Sequence, residues 1–165
     1  RRVLFRSATM PTSKSTDRIL KHAEKQCAER GARFTEKRRK VLIGLVESRK
    51  ALSAYELIDY CREELGQQLP AMSVYRILDF LEGEDLVHRL HLAKKFVACS
   101  HIACDHAHEI PQFLICNGCN AVEEISIKRS IIQSLKTSVA DAGFHLASPQ
   151  LEFECYCPDC IPQPA

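Results

Sequence analysis

The chain has 165 residues, with 45% hydrophobic and 27% charged residues, which is ordinary for a soluble protein of one medium or two small domains. No apolar run approaches the roughly 20 residues that a membrane span needs, so a membrane protein is excluded. The formal net charge is only +2, yet residues 1–50 carry 15 Lys or Arg against 5 Asp or Glu, whereas residues 101–165 are acidic overall. This asymmetry predicts a domain that binds a polyanion and a separate module, although a solvated basic face is an alternative.

The N-terminal residues are expected to lie outside the folded domains. "RRVLFRSATM" has a basic start, but its apolar run is too short for a signal peptide. We expect residues 1–13 to be a tag or a disordered N-terminus, with Met10 as the candidate natural start. The nine cysteines are an odd number, and without a secretion signal they favour a reducing compartment, in which thiols stay free or bind metal.

Four short helices are predicted in the N-terminal half, from apolar residues at helical spacing. Thr35 can cap the second helix, and "SAYE", which begins at Ser53, is a capping box for the third. Glycines follow the first, third and fourth helices as stop signals. The apolar positions expected to be buried are Leu20, Ala23, Cys27, Val41, Leu42, Leu45, Val46, Leu57, Ile58, Cys61, Leu65, Val74, Ile77, Leu78 and Leu81.

Two β-like runs, "LVHRL" and "KFVAC", follow the fourth helix and predict a hairpin. Short helices closed by a hairpin are typical of a winged helix-turn-helix, whose last helix before the wing enters the major groove of DNA. Tyr75 and Arg76 point away from the apolar face of that helix, and arginine reads guanine while tyrosine touches phosphate or a thymine methyl. Tyr75 and Arg76 are therefore the predicted base-reading pair, and Lys14 and Lys37 the predicted phosphate contacts. An ordinary helical bundle with a surface arginine is the alternative.

The C-terminal part changes pattern. "FLIC", "AVEEISI" and "QLEFECY" are strand-like, with an amphipathic helix from Lys128 to Ala142 between the second and third. The apolar row of this helix is Ile131, Leu135, Val139 and Ala142. A small sheet with one covering helix buries little surface, so we expect it to need a second copy of the chain.

Two Cys-x-x-Cys pairs flank this part, Cys116 with Cys119 and Cys157 with Cys160. Disulfides, a redox couple and one shared metal site are the alternatives. A redox motif needs one pair at a helix N-terminus, whereas both pairs here lie at strand or chain ends. Four thiolates in two tight turns match a closed tetrahedral structural zinc site, and Gly118 is expected to free the backbone of the first turn.

A second set of potential ligands is chemically mixed. In a hairpin that turns near residues 93 and 94, His88 would lie opposite Cys99, and further ligands follow the hairpin. Such a site at the join of two domains would act as a sensor, because occupancy would fix their relative angle. We expect His91 and His145 to be solvent-exposed instead. The candidate ligands are His88, Cys99, His101, Cys104, His106, His108 and Glu124.

From about Ser15 to Cys160 the chain resembles the ferric uptake regulator superfamily of metal-responsive bacterial repressors, and most of all its zinc uptake regulator branch. The resemblance is carried by "RFTEKRRKVL", "LSAYELIDY", "SVYRILDFLEGEDLVHRL", the His-rich segment, "FLICNGCNAVEE" and "CPDC". It implies a cytoplasmic bacterial homodimer that binds double-stranded operator DNA in response to metal. It also implies a regulatory zinc on His88, Cys99, His108 and Glu124, with His106 in reserve and His101 and Cys104 as extra candidates.

The predicted fold class is α+β, with a winged helix-turn-helix at residues 14–99, a hinge at 100–112 and a small α/β dimerisation domain at 113–165. We expect two zinc ions per subunit, one structural and one regulatory, and no small-molecule substrate. An iron- or peroxide-responsive regulator of the same superfamily is the main alternative, but Cys99 favours zinc. A zinc enzyme would need a motif such as His-Glu-x-x-His, which the sequence lacks, so we expect no catalysis. A protein-interaction module stabilised by zinc is the third alternative.

Overall fold

The structure is a computed structural model that describes residues 13–103 and 111–161, with side chains described from Ser15 onward. The described residues form two compact units. The first unit contains residues 13–89 and 96–103, and the second contains residues 90–95 and 111–161. Among these residues, no helix has the length and apolar character that crossing a membrane requires.

The first unit consists of four helices and most of a two-stranded hairpin. Both predicted helix starts are confirmed: Thr35 accepts a hydrogen bond from the N–H of Arg38, and Ser53 and Glu56 form the complete capping box. The third helix ends two residues before Leu65, which lies in the turn that follows it. The elements are α1 (Ser13–Glu29), α2 (Glu36–Ser48), α3 (Ala54–Glu63), α4 (Ala71–Gly83), β1 (Val87–Leu90) and β2 (Lys95–Ala98).

The core of the first unit is formed by the facing sides of the four helices and closed by the hairpin. Leu52, which precedes α3, exchanges two backbone hydrogen bonds with Phe96 of β2 at 2.8 and 2.9 Å, so the hairpin is held against the helices. Most of the predicted apolar positions are buried in this core, while Val46, Ile58 and Leu65 are partly buried and pack against it. The helical periodicity of the sequence therefore identified this core correctly.

Gly44 lies where α2 approaches α3 most closely. A Cβ at this position would lie 2.6 Å from the Sγ of Cys61 and 2.8 Å from Cδ1 of Leu57. Alanine favours a helix by about 1 kcal/mol over glycine, but overpacking a core costs roughly 1–3 kcal/mol. We therefore expect Gly44→Ala to lower the free energy of unfolding of the helical unit, measured by denaturant titration of helical circular dichroism.

The matched control is Gly83→Ala, at the last residue of α4, where an added Cβ has no atom within 4 Å. This variant should keep or slightly raise the free energy of unfolding, because it gains helix propensity without a clash. If the two alanine variants were equally stable, the close approach of α2 and α3 at Gly44 would be contradicted.

The second unit contains a three-stranded sheet with strand order β4-β3-β5. β3 pairs antiparallel with β4 and parallel with β5, so the chain crosses over through α5 between β4 and β5. Gln112 is buried at the start of β3, and its side-chain oxygen accepts the N–H of Leu151 at 2.8 Å, which aligns β5. The elements are β3 (Gln112–Cys116), β4 (Val122–Ile125), α5 (Arg129–Asp141) and β5 (Leu151–Cys155).

The helix α5 differs from its prediction in packing. Its limits match the predicted segment within one residue at each end, but it buries none of its residues in the described chain. Ile131 is 57% exposed and Leu135 38% exposed, so the apolar row faces outward instead of covering the sheet. A contiguous exposed apolar face of this kind is a common sign of an interaction site.

The tip of the β1–β2 hairpin belongs to the second unit. The backbone N–H groups of His91 and Leu92 donate to the two carboxylate oxygens of Glu152, on β5, at 2.7 and 2.8 Å. Gln150 also donates to this carboxylate, at 3.0 Å. The carboxylate thus satisfies two backbone donors of the turn, which ties the tip to β5.

Candidate metal centre and nucleic-acid interface

The two Cys-x-x-Cys pairs meet at one edge of the three-stranded sheet. Cys116 ends β3 and Cys119 lies in the turn after it, while Cys157 and Cys160 follow β5. Because β3 and β5 are parallel neighbours, their C-terminal ends lie side by side and carry both pairs to the same place. The four Sγ atoms lie within 4.8 Å of one another, and we call this group the four-cysteine cluster.

The dimensions of the four-cysteine cluster suit a zinc ion. A tetrahedral site with Zn–S bonds of about 2.3 Å separates its sulfur atoms by about 3.8 Å. The Sγ atoms of Cys119 and Cys157 lie 3.7 Å apart. The backbone N–H groups of Cys157 and Gly118 donate to the Sγ of Cys116 at 3.2 and 3.4 Å, which stabilises negative charge on that sulfur. Four sulfur donors in a closed group are the ligand set of a structural zinc site.

Gly118 is required for space and not for backbone freedom. A Cβ at this position would lie 2.6 Å from the Cβ of Cys160 and 2.8 Å from its Sγ. The residue of the first turn with a positive φ is instead Asn120, at 58°. The predicted reason for this glycine was therefore wrong: the turn passes so close to the second cysteine pair that only hydrogen fits between them.

The protonation of the four-cysteine cluster follows from its hydrogen bonds. The N–H of Cys157 lowers the pKa of Cys116 to about 6, because it donates to the thiolate form. Hydrogen bonds with Cys157 and Cys119 raise the pKa of Cys160 to about 12. Without a metal, Cys160 therefore keeps its proton at neutral pH, and a zinc ion that binds there must displace it.

Cys155 lies near the cluster in sequence but does not belong to it. Its thiol donates to the carbonyl of Ile115 at 3.5 Å, within the pairing of β3 and β5. This residue lies outside both Cys-x-x-Cys pairs.

The second predicted ligand set is described only in part. His88, on β1, and Cys99, directly after β2, place an imidazole nitrogen and Sγ within 4.8 Å of each other. Cys99 is only 5% exposed, and its N–H donates to the carbonyl of Leu86 at 3.0 Å. The predicted register, with His88 directly opposite Cys99, is therefore wrong by two residues. Since side chains alternate along a strand, Leu86 and His88 share a face, and the two ligands still approach each other.

The remaining candidate ligands fall into three groups. Glu124 lies on β4 in the second unit, paired with Phe113 of β3 and half-buried. His101 lies in the turn after Cys99 and is partly exposed. His91 and His145, which were not candidate ligands, are exposed, as predicted. The candidates outside the described residues are Cys104, His106 and His108.

The helix α4 presents the surface predicted to bind DNA. Its buried face is formed by Val74, Ile77, Leu78 and Leu81. Tyr75, 41% exposed, and the exposed Arg76 lie on the opposite face, as their spacing predicted. Lys37 is exposed on α2, whereas the side chain of Lys14 lies outside the described residues.

The hairpin is fixed to α4 by Arg89 of β1. Its guanidinium binds Glu82 at 2.8 Å and also pairs with Asp79, and both carboxylates belong to α4. The same guanidinium lies 4.9 Å from the ring centroid of Phe96 on β2. One side chain therefore connects both strands of the hairpin to the helix that carries Tyr75 and Arg76.

Tyr55, which was not among the residues predicted from the sequence, lies beside this surface. Its ring is 6.2 Å from the ring of Tyr75 and inclined at 80° to it, an edge-to-face pair. The signal available in the sequence was an aromatic residue in the first turn of α3, two residues after the capping serine Ser53.

A four-helix unit with a wing-like hairpin, followed by a small sheet with a four-cysteine cluster, defines the class of metal-responsive winged-helix regulators. Residues 29–154 match the model of the ferric uptake regulator family. The chain belongs to the ferric uptake regulator family, which confirms the predicted α+β fold of a winged helix-turn-helix and a small α/β domain.

Individual relatives indicate which branch of this family the chain resembles. The chain is 35% identical over 147 residues to the zinc uptake regulation protein of Escherichia coli (strain K12), covering 89% of this chain and 84% of that protein. A zinc uptake regulator solved in complex with zinc and DNA has a TM-score of 0.73 and 32% identity, covering 89% of this chain and 95% of that one. The holo form of XcZur has a TM-score of 0.69 and 34% identity, with coverages of 85% and 94%. These relatives confirm the predicted resemblance to the zinc uptake regulator branch.

Proposed function

We propose that this chain is a zinc-responsive transcriptional repressor of the bacterial cytoplasm. Zinc at a regulatory site favours the conformation of the homodimer that binds the operators of zinc-homeostasis genes. The observation that carries the proposal is the similarity to zinc uptake regulators over almost the whole chain, including one solved with zinc and DNA. The exposed Tyr75 and Arg76 on α4 supply the surface that such DNA binding needs.

In the proposed function, each chain binds two zinc ions, one structural and one regulatory. The four-cysteine cluster binds the structural ion, which is supported by the mutual distances of its sulfur atoms and by the space that Gly118 leaves for Cys160. His88, Cys99, His108 and Glu124 bind the regulatory ion, with His106 as the reserve ligand. Cys99 supports zinc over ferrous iron at this second site, because thiolates suit zinc and an all-nitrogen and oxygen set suits iron.

Dimerisation uses the outward face of α5. Its apolar row leaves Ile131 and Leu135 exposed, and Phe144 just beyond the helix is 69% exposed. Covering this face with a second copy would remove apolar surface from water and complete the packing that the small sheet lacks. Two recognition helices in one dimer would then read a palindromic operator.

An iron-responsive regulator is the second candidate on the same fold, but no observation favours it. The ferric uptake regulators of Helicobacter pylori and Vibrio cholerae, both of known structure, are 22% and 24% identical to this chain, which is a likeness of fold alone. The proposed role is regulatory and requires no catalytic activity.

The test is DNA binding against a panel of metals at buffered free concentrations, with metal content measured on the same preparation. Duplexes selected from a randomised pool by the zinc-loaded protein serve as the operator probe, and shuffled duplexes as the control. Zinc should promote selective binding at lower free concentrations than those at which ferrous iron or manganese does. Selective binding that needs iron, or no metal, would contradict the proposal.

Arg76 is expected to contribute to sequence discrimination. A bidentate arginine contact to guanine contributes roughly 1–3 kcal/mol to discrimination at one base pair, and each subunit of the dimer would lose it. Arg76→Ala should therefore weaken binding to the selected duplex strongly and binding to the shuffled duplex only slightly, as measured by fluorescence anisotropy across a salt series.

Lys37→Ala is the matched control for charge. A lost phosphate contact lowers affinity for every sequence and reduces the slope of log K against log salt by about 0.9 per contact. An Arg76→Ala protein that keeps full discrimination while its salt slope changes like that of Lys37→Ala would show that another residue reads the bases.

A further inference from the structure

We infer that Arg89 is a positioning residue for DNA recognition: it holds the carboxylate of Asp79 away from Arg76, so that the Arg76 guanidinium stays free to read the operator. The inference rests on the proposed function, since it assumes that Arg76 contacts bases. It assigns to the wing-like hairpin a part in sequence discrimination that requires no contact of Arg89 with DNA.

Three charged residues lie in one row on the surface of α4. Arg76, Asp79 and Glu82 follow each other at intervals of three residues, so each lies beside the next on the helix. The side chains of Asp79 and Glu82 are 63% and 37% exposed, and Arg76 is exposed as well. Opposite charges three residues apart on a helix attract each other. By spacing alone, Asp79 is therefore the expected partner of Arg76.

The structure gives Asp79 a different partner. Arg89, on β1, donates from Nε to a carboxylate oxygen of Glu82 at 2.8 Å and from Nη2 to a carboxylate oxygen of Asp79. One edge of its guanidinium thus binds both carboxylates of the row. Within the part of the chain that the structure describes, the side chain of Arg76 makes no ion pair, so its guanidinium is available to a ligand.

Arg89 competes well for Asp79 because its own position is fixed. Its guanidinium lies 4.9 Å from the ring centroid of Phe96 on β2, and Phe96 is only 6% exposed. A guanidinium that stacks on a ring and binds two carboxylates loses little further side-chain entropy for each contact. The exposed side chain of Arg76 would instead be ordered for a single ion pair, which is a weak interaction in water.

Loss of the Arg89 charge would change what α4 presents to DNA. Asp79 could then pair with Arg76, and that pair would have to break before the guanidinium could bind guanine, which lowers sequence discrimination. The uncovered carboxylates would also repel phosphates, which lowers the affinity for every duplex. The ratio of the affinities for the selected and shuffled duplexes therefore isolates the effect on Arg76.

The experiment compares Arg89→Met, Asp79→Asn and the double variant in the zinc-loaded, full-length protein, by fluorescence anisotropy with both duplexes. Methionine keeps an unbranched side chain beside Phe96 but has no charge, and asparagine keeps the shape of aspartate. Arg89→Met should lower the preference for the selected duplex about two- to threefold, since the ion pair that replaces it is weak and each subunit of the dimer forms one. The double variant should regain the wild-type preference, because no carboxylate is left to capture Arg76. Asp79→Asn alone should keep that preference.

Arg30→Met is the matched control. Arg30 also binds two carboxylates beside α4, those of Asp85 at 2.8 Å and Glu84 at 3.7 Å, but both residues follow the end of the helix and lie outside the row that contains Arg76. This variant should keep the wild-type preference. The inference would be overturned by an unchanged preference in Arg89→Met, by an equal loss in Arg30→Met, or by a loss that the double variant does not recover. The last result would mean that Arg89 contacts DNA itself or only shapes the hairpin.

A measurement without DNA separates this inference from the proposed function. The nitrogen-15 NMR signal of the Arg76 Nε–H group should move in Arg89→Met, when the Asp79 carboxylate approaches it, and return in the double variant. A signal that does not move in Arg89→Met would overturn the inference. A wild-type protein without zinc-dependent selective binding would instead refute the proposed function itself, whatever this signal shows.

Discussion

Replacing any member of the four-cysteine cluster by serine is expected to release one zinc ion per chain and to unfold the second unit. The buried residues of that unit within the described chain are few: Leu90, Gln112, Phe113, Ile115 and Cys116. Structural zinc in small peptides contributes about 10–16 kcal/mol to folding, as much as the whole stability of an ordinary domain. A three-thiolate site would lose much of that contribution, so zinc content and thermal melting should both change.

Cys155→Ser is the matched control for this prediction. Cys155 is on β5, two residues before Cys157, and its thiol donates a hydrogen bond to the backbone carbonyl of Ile115, outside the cluster. This variant should keep its zinc and melt close to the wild-type temperature. The assignment of the cluster would fail if all four cluster variants retained full zinc content, or if Cys155→Ser lost as much zinc as they did.

Replacing Cys99 or His88 by alanine is expected to abolish zinc-dependent DNA binding while the structural zinc stays bound. Losing an outer hydrogen-bond partner of a metal ligand typically costs 10–100-fold in affinity, and losing a ligand itself should cost more than about 100-fold. The zinc concentration needed for half-maximal binding of the selected duplex should therefore rise beyond the measurable range. Metal analysis should still find one zinc ion per chain, because the four-cysteine cluster is intact.

His91→Ala is the control, since His91 is an exposed histidine three residues after His88 and is not a proposed ligand. Its response to zinc should equal that of the wild-type protein. His106→Ala and His108→Ala, compared in the same assay, identify the ligand from the His-rich segment: the larger loss marks it. Normal zinc responses in both Cys99→Ala and His88→Ala would place the regulatory site elsewhere.

Local signals along the sequence predicted several features that the structure bears out. The caps at Thr35 and Ser53 depend on hydrogen bonds between residues three apart, and a short segment is enough to specify them. The two faces of α4 follow from the 3.6-residue period of a helix, which separates Val74 and Leu78 from Arg76. The two Cys-x-x-Cys turns are likewise local, and their number and spacing indicated one shared site.

Other features depend on residues that are distant in the sequence, and only the tertiary structure decided them. The tight space at Gly118 arises because β5 carries Cys160 alongside the first turn, and the space at Gly44 because α3 crosses α2 there. The register of the hairpin, in which the N–H of Cys99 donates to the carbonyl of Leu86, depends on the length of the turn. The hydrophobic pattern alone does not fix that register.

The sequence by itself determined where the helices and strands form, which faces are apolar and which residue types are available as ligands. It did not determine which apolar face is buried within one chain: α5 has the same kind of apolar row as α4, yet leaves Ile131 exposed. Nor did it pair Tyr55 with Tyr75, which are 20 residues apart and meet only because α3 packs beside α4. The physical reason is that periodicity and capping act within a few residues, whereas a contact between elements depends on the packing of the whole unit.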